Sequence, residues 1–130
     1  MIMPTNRRTF IASAAATAAT TATTYTSRRA LAADEKKLTI GVIGVGWYGM
    51  VDAKAALKVG GVEVTAICDV DSKHLQQAAD ELESLQGNRP TEFADYEQML
   101  DKATPDIVII GTPPHWHSLQ LIASLKRGCN

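Results

Sequence analysis

The chain has 130 residues, which suits one small domain with an appendage. Hydrophobic residues make up 45% of it and aromatic residues only 5%, so we expect a mostly aliphatic, alanine-rich core. The formal net charge of −1 offers no basic footprint for nucleic acid, and we expect no nucleic-acid partner. All 14 acidic residues follow residue 33, whereas four arginines precede it, so two differently built segments meet near that position.

The first segment has the order of an export signal. Arg7 and Arg8 precede residues 9–27, an uncharged stretch rich in Ala and Thr, and a small-residue A-x-A site follows at residues 30–32. This order predicts a signal peptide over residues 1–32, cleaved after its last residue. A transmembrane anchor is disfavoured because the stretch lacks the Leu, Ile, Phe and Val that make spanning favourable, and we expect no membrane span. A disordered tail is the remaining alternative.

The signal resembles those of the bacterial twin-arginine pathway in its Arg7-Arg8-Thr9-Phe10-Ile11 core and its mildly apolar stretch. A second arginine pair, Arg28 and Arg29, stands close to the cleavage site and fits the same pattern. The resemblance implies that the twin-arginine export machinery carries the folded protein to the periplasm. The remainder, residues 33–130, is expected to form one domain.

That domain begins with a strand, a glycine-rich turn and a helix. Leu38–Ile43 is a continuous apolar run that suits a strand covered on both faces. The turn Gly44–Gly49 follows, and a helix is predicted from about Trp47 to Val59, where two glycines end it. Its expected inner face carries Met50, Ala53, Ala56 and Leu57.

A second strand and helix follow in the same order. Val62–Cys68 predicts the strand, and Asp71 offers an N-cap for a helix that runs to about Gln86. The glycine at position 87 closes this helix. Its expected inner face carries Leu75, Ala78, Ala79, Leu82 and Leu85.

Two further strand–helix units complete the pattern. Thr91–Phe93 predicts a short strand, Asp95 begins a short helix, and residues 106–111 predict the most apolar strand. The last helix is predicted from about His115 to Arg127. Its expected inner face carries Leu119, Ile122 and Leu125. Alternating strands and helices of these lengths predict an α/β fold with a doubly wound parallel sheet and right-handed crossovers.

The turn after the first strand has the G-x-G-x-x-G form, with its glycines at Gly44, Gly46 and Gly49. Gly44 permits the tight turn, Gly46 lets the backbone approach a pyrophosphate closely, and Gly49 lets the helix pack near the strand. Unpaired N–H groups at the helix start, where Trp47 and Tyr48 lie, attract phosphate. We therefore predict that these five residues bind a dinucleotide. The alternative is a tight strand–helix turn that binds no ligand.

Asp69 ends the second strand, 20 residues after Gly49, where an acid accepts hydrogen bonds from the adenosine ribose hydroxyls. A 2′-phosphate would meet this carboxylate, and Asp71 adds further negative charge, so we predict NAD as the cofactor. NADP stays open as an alternative because Lys73 would offset part of that charge.

Residues 112–117 follow the last strand, and ligands bind at the carboxyl ends of strands in open α/β sheets. His115 and His117 have no third ligand near them in the sequence, so we predict no metal site. Cys68 and Cys129 lack metal-type spacing and indicate no disulfide framework. We expect Cys68 to be a small hydrophobe at the end of a buried strand.

Together, three stretches resemble the Gfo/Idh/MocA oxidoreductases: Gly41–Gly46, Ile67–Asp71 and Thr112–His117. The resemblance covers about residues 37–130. Members of this family bind NAD or NADP in an N-terminal Rossmann domain, and they oxidise or reduce a sugar or sugar-like alcohol by hydride transfer. Exported members with twin-arginine signals are known.

The resemblance implies a role for each matching position. The three glycines of the turn would hold the pyrophosphate, and Asp69 would hold the ribose. Thr112, Pro113 and His117 would line the dinucleotide near its nicotinamide end. The resemblance also implies a Rossmann-type sheet, here of about four strands in the order 3-2-1-4.

The family pattern continues, after the last helix, with a strand, a Glu-Lys-Pro motif and a larger substrate domain. The lysine of that motif handles the substrate hydroxyl, and this chain stops at Asn130, before the motif. We therefore expect residues 33–130 to be a C-terminally truncated Rossmann domain, inactive alone and without a catalytic residue. A sugar-like substrate is expected only for a full-length form. The alternatives are a non-catalytic NAD-binding module and an inactive remnant.

Overall fold

The computed structural model describes residues 36–130, and the predicted signal peptide over residues 1–32 lies outside this part of the chain. Strands and helices alternate along it. The strands are β1 (Leu38–Ile43), β2 (Val62–Cys68), β3 (Thr91–Phe93) and β4 (Ile107–Ile110). The helices are α1 (Trp47–Val59), α2 (Ser72–Gln86), α3 (Tyr96–Ala103) and α4 (Pro114–Lys126).

All strand pairs of the sheet are parallel, and the order is β3-β2-β1-β4. Both the predicted α/β class and the predicted order 3-2-1-4 are confirmed. Ile43, the last residue of β1, pairs with Cys68 in β2 and with Ile110 in β4. Cys68 pairs in turn with Phe93 in β3. The carboxyl ends of all four strands therefore meet at one edge of the sheet.

Helices cover both faces of the sheet. On one face, Ile40, Val42 and Val64 pack with residues of α1 and α2, including Met50 and Leu82. On the other face, Ile43, Ala66 and Cys68 of the sheet pack with Met99 and Leu100 of α3 and with Ala123 of α4. Strands buried on both sides explain the continuous apolar runs in the sequence. Cys68 is buried at the end of β2, as predicted.

Side-chain caps begin two of the helices. The Asp71 carboxylate accepts hydrogen bonds from the backbone N–H groups of Lys73 and His74 at the start of α2. Asp95 accepts one from the N–H of Glu97 at the start of α3. Both caps lie where the sequence predicted them. A carboxylate at this position accepts hydrogen bonds from N–H groups that have no partner within the helix.

The inner faces of two helices differ from the predictions. Leu85 of α2 is 56% exposed rather than buried. In α4 the predicted inner residues Leu119, Ile122 and Leu125 are all at least half exposed. The buried face of α4 instead consists of Gln120, Ala123 and Ser124. The small side chains of Ala123 and Ser124 let α4 lie close to β4 and α3, and the large apolar residues of α4 stay exposed.

Strand β4 lies at the edge of the sheet, beside β1. On its outer side, Val108 donates its N–H to the carbonyl of Asn130 at 2.8 Å, and Asn130 donates its N–H to the carbonyl of Asp106 at 2.9 Å. This alternation around Ile107 is the hydrogen-bond pattern of a parallel pair. The backbone at Asn130 therefore occupies the position of a parallel neighbour of β4.

Within residues 36–130, the longest helix has 15 residues, and none is both long and apolar enough to cross a bilayer.

Candidate functional site

A cavity of about 460 Å³ opens where the four strands end. The loops that follow β1, β2, β3 and β4 all contribute to it, so the parallel topology alone brings its walls together. Its size lies within the range of small-molecule sites. The residues lining it are Ile43, Gly44, Gly46, Cys68, Asp69, Val70, Ala94, Tyr96, Gly111, Thr112, Pro113, Trp116 and Gln120.

The chain turns sharply at Gly44, directly after β1. Gly44 has φ +85°, a left-handed conformation that glycine adopts without strain. Its N–H donates to the carbonyl of Cys68 at 2.7 Å, so the turn stays attached to β2. A Cβ added here would lie 2.8 Å from both the methyl group and the backbone nitrogen of Thr112. The first glycine of the motif is therefore required by backbone conformation and by space.

The third glycine of the motif, Gly49, lies against the same turn. A Cβ on Gly49 would collide with the carbonyl oxygen of Gly44. Gly111, which follows β4, completes this contact, since a Cβ there would lie 2.5 Å from the Cα of Gly49 and 2.7 Å from the Gly44 oxygen. Three backbones meet at this point because none of them carries a side chain.

Gly46 differs from these three glycines, because a Cβ on it would meet no atom within 4 Å. It forms the N-cap of α1 without any side-chain cap, and the first turn of α1 contains no acidic residue. Helices α2 and α3, in contrast, have aspartate caps. The first N–H groups of α1 thus face open space, and this arrangement fits the pyrophosphate of a dinucleotide.

Asp69, at the end of β2, is held beside the glycine turn. Its Oδ2 accepts a hydrogen bond from the N–H of Val45 at 3.0 Å, and its Oδ1 accepts one from the N–H of Asp71 at 3.0 Å. The residue is half-buried and lines the cavity. Each carboxylate oxygen retains a further lone pair, so Asp69 can still accept hydrogen bonds from two ribose hydroxyls.

Thr112 and the start of α4 form the opposite wall. The Thr112 hydroxyl donates to Oε1 of the buried Gln120 at 2.5 Å. His117 is exposed, and its Nε2 lies 2.6 Å from the carbonyl oxygen of Thr112. The His117 ring therefore holds the backbone of the loop and does not itself line the cavity.

The structure brings together five of the nine predicted cofactor residues, which line one cavity: Gly44, Gly46, Asp69, Thr112 and Pro113. Gly49 lies behind the turn, and His117 lies behind Thr112. Trp47 and Tyr48 are 80% and 63% exposed, and their rings meet edge to face with centroids 5.3 Å apart. Trp47 lies beside a second opening, between α1 and α2.

Sequence reasoning missed several cavity residues. Gly111 could have been found, since a glycine that follows a strand and precedes the loop suggests a close backbone approach. Gln120 is a polar residue flanked by Leu119 and Leu121, which is a weak signal for a special role. The position of Tyr96 depends on how α3 packs, and no sequence motif indicates it.

Cys68 also lines this cavity, and it is 4% exposed. Burial raises the pKa of Cys68 to about 12, and the nearby carboxylates of Asp69 and Asp95 act in the same direction. The thiol is therefore neutral at physiological pH and contributes an apolar surface to the cavity wall. In the part of the chain that the structure describes, no group of three or more His, Cys, Asp or Glu side chains is placed to hold a metal ion.

Comparison with known proteins identifies relatives of this domain. Residues 38–130 match the model of the Gfo/Idh/MocA oxidoreductase family, NAD-binding Rossmann fold. A glycosyl hydrolase family 109 protein of Shewanella pealeana is 33% identical over 93 residues, which cover 68% of this chain and 20% of that protein.

Two solved structures have the same fold. Scyllo-inositol dehydrogenase of Lactobacillus casei, with bound NAD(H) and scyllo-inositol, has a TM-score of 0.64 and 27% identity. Myo-inositol 2-dehydrogenase of Lactobacillus plantarum has a TM-score of 0.65 and 30% identity. Each comparison covers 73% of this chain and 27% of the other, so the chain spans about a quarter of these enzymes.

The family match covers every strand and helix described above. It agrees with the parallel order β3-β2-β1-β4 and with an uncapped helix N-terminus beside an acidic residue at the end of β2. The chain therefore belongs to the Gfo/Idh/MocA oxidoreductase family, as its NAD-binding Rossmann domain.

Proposed function

We propose that this chain supplies the NAD site of an exported oxidoreductase that transfers hydride between the nicotinamide and a sugar or sugar-like alcohol. The observation that carries the proposal is the pairing of an uncapped α1 N-terminus with Asp69, which is fixed beside it by two backbone hydrogen bonds. The first feature suits a pyrophosphate, and the second suits the ribose hydroxyls of adenosine.

In this arrangement Gly44 and Gly46 bind the pyrophosphate, while Thr112 and Pro113 contact the dinucleotide from the β4 side. NAD supplies a hydride acceptor when bound. The chain's own residues bind and orient it, and the unpaired N–H groups of Trp47 and Tyr48 contribute backbone donors. Negative charge at Asp69 and Asp71 supports NAD over NADP, because a 2′-phosphate would be repelled.

We further propose that the catalytic centre needs groups beyond residues 36–130. An alcohol oxidation must pass the hydroxyl proton to a base. Among the described residues around the cavity, Asp69 is engaged by two backbone donors, and Cys68 is a neutral thiol. We assign Asp69 to the ribose hydroxyls, so neither residue is assigned to that proton. A sugar-like substrate is supported by the inositol dehydrogenases, whose bound or named substrates are cyclic polyols.

Calorimetric titration of the 130-residue chain with NAD and with NADP tests the cofactor site. We expect NAD to bind more tightly. Asp69→Ala should weaken NAD binding and reduce the ratio of NAD affinity to NADP affinity by about tenfold. Asp69→Asn keeps an acceptor oxygen but removes the charge, so it should reduce the same ratio with a smaller loss of NAD affinity. Circular dichroism checks that both variants fold. An unchanged ratio in Asp69→Ala would refute the ribose assignment.

The nucleotides that follow the Asn130 codon test the catalytic part. We expect them to encode, in some frame, a Val-rich strand followed by a Glu-Lys-Pro motif. Their absence would favour a non-catalytic NAD-binding module if the chain binds NAD, or an inactive remnant if it does not.

Glycoside cleavage is a second candidate, favoured by the name of the curated Shewanella relative. Hydrolysis leaves NAD in its starting oxidation state, whereas a dehydrogenase accumulates NADH. Assays of a form that includes the catalytic groups can distinguish the two reactions. They use cyclic polyols and a chromogenic glycoside, and they follow nicotinamide absorbance and aglycone release separately.

Export is proposed from the sequence of residues 1–32 and tested separately. Residues 1–32 can be fused to a reporter protein that becomes active only when it is exported in its folded state. The fusion should show reporter activity in a bacterium that has the twin-arginine pathway. Replacing Arg7 and Arg8 by lysine should abolish export. Export that continues in a strain lacking the pathway would refute this route.

A further inference from the structure

Gln120 is a buried polar residue of α4 for which the fold itself gives no complete account. Its side chain lines the cavity, and only 4% of the residue is exposed. Oε1 accepts the Thr112 hydroxyl, but no acceptor within residues 36–130 is hydrogen-bonded to Nε2. Nε2 is also not among the fully enclosed unpartnered atoms of the described residues, so it is reached from the cavity.

An amide nitrogen without a protein partner in a largely apolar wall is unfavourable, and an apolar residue would pack at this helix position without that cost. The surrounding wall is largely apolar, since Ile43, Val70, Pro113 and Trp116 line it. Sites of this kind place a few polar groups in an apolar wall to orient a ligand. Gln120 therefore points to a ligand with a complementary acceptor.

We propose that Gln120 selects the base of the bound dinucleotide and makes the cavity specific for adenine. The inference rests on the proposed NAD site, in which Asp69 holds the adenosine ribose. Asp69 lines the same cavity as Gln120, and the base is attached to that ribose, so the base enters this cavity. The apolar surfaces of Val70 and Trp116 suit a flat ring.

The Gln120 amide offers both a hydrogen-bond donor and a hydrogen-bond acceptor, which adenine requires. Nε2 donates to a ring nitrogen, and the remaining lone pair of Oε1 accepts from the exocyclic amino group, the paired contact by which glutamine distinguishes adenine. Here the Thr112 hydroxyl donates to Oε1, which leaves Nε2 as the donor toward the cavity. In hypoxanthine a carbonyl oxygen replaces the amino group and would face Oε1. Turning the amide to suit it would place Nε2 against Thr112, whose hydroxyl would then accept a hydrogen bond and lose Oε1 as the acceptor for its own proton.

Calorimetric titration of the full 130-residue chain with NAD and with nicotinamide hypoxanthine dinucleotide tests the proposal. The wild-type chain should prefer NAD, and Gln120→Leu should lose roughly two- to tenfold in NAD affinity while the preference for adenine over hypoxanthine largely disappears. Gln98→Leu makes the same change on the exposed side of α3 and should alter neither value.

Gln120→Glu serves as a second variant if Gln120→Leu does not fold, because it is nearly isosteric but cannot donate when ionised. It should also lose NAD affinity. Equal losses for both dinucleotides in these variants would show that Gln120 only positions Thr112, and would overturn the proposal. NAD binding that is unaffected by either variant would overturn it as well and leave the NAD site standing. A wild-type chain that binds neither dinucleotide overturns both the NAD site and this inference.

Discussion

The same glycine-to-alanine change should have opposite effects at Gly46 and at Gly111. At Gly46 the added methyl group enters open space, and the backbone, with φ −64° and ψ −167°, is accessible to alanine. At Gly111 the methyl group would lie 2.5 Å from the Cα of Gly49 and 2.7 Å from its nitrogen. Backbone cannot swing aside as a side-chain tip can, so the glycine turn must shift.

These contacts set the expected magnitudes. Overpacking of a close backbone contact costs about 1–3 kcal/mol, which lowers the melting temperature of a domain this size by roughly 4–8 °C for each kcal/mol. Alanine at position 46 is a poorer N-cap than glycine, which destabilises the folded chain by about 1 kcal/mol or less. It also lowers the entropy of the unfolded chain, which stabilises the folded chain by about the same amount. The melting temperature of Gly46→Ala should therefore stay close to that of the wild-type chain. The methyl group instead fills the space assigned to the pyrophosphate, so NAD affinity should fall about tenfold or more.

Thermal melts followed by circular dichroism, together with calorimetric titration with NAD, measure both quantities on the same preparations. Gly46→Ala should be stable and deficient in binding, whereas Gly111→Ala should be destabilised. The reasoning fails if Gly46→Ala binds NAD like the wild-type chain, or if Gly111→Ala melts at the wild-type temperature.

Three further outcomes test other parts of the structure. Because burial raises the pKa of Cys68 to about 12, iodoacetamide at about pH 8 should leave it unmodified in the folded chain and alkylate it in urea; rapid native labelling, located by mass spectrometry, would contradict its burial. The N–H groups of Lys73 and His74 lower the pKa of Asp71 below its usual 3.8, so its stabilisation of α2 is present above that pH and is lost as the pH falls through the lowered value. Asp71→Asn keeps the cap without the titration, and the melting temperatures of the two proteins should therefore converge in acid; a constant difference at all pH values would exclude this linkage. Leu119→Gln should change stability by less than about 0.5 kcal/mol because Leu119 is 55% exposed, whereas Ala123→Leu, at a site 9% exposed, should cost about 1–3 kcal/mol. A larger loss of stability for Leu119→Gln than for Ala123→Leu would support the inner face of α4 that the sequence predicted.

The sheet could be predicted from the sequence because its signals are local. Continuous apolar runs such as Leu38–Ile43 mark strands covered on both faces, and glycines or aspartates mark where helices begin and end. Asp71 caps α2 through residues only two and three positions away, so the pattern contains all that the cap requires.

The inner face of α4 could not be predicted in this way. Apolar residues occur around much of this helix, at Leu119, Leu121, Ile122 and Leu125, so periodicity does not select one side. The choice is made by contacts distant in sequence, with β4 and α3. The cavity wall at Gly111 has the same origin, since the approach of the β1 turn to the end of β4 exists only once the sheet has formed.

The contact among Gly44, Gly49 and Gly111 makes the shape of the phosphate-facing turn independent of the Trp47 and Tyr48 side chains. Main-chain contacts and the Asp69 carboxylate fix the turn, and Trp47 and Tyr48 project outward from it into solvent. Substitutions at these two positions are therefore possible without a change in the backbone of the glycine turn. An evolving lineage could in this way change what lies next to the cofactor, one side chain at a time, while the geometry that holds the phosphates is inherited intact.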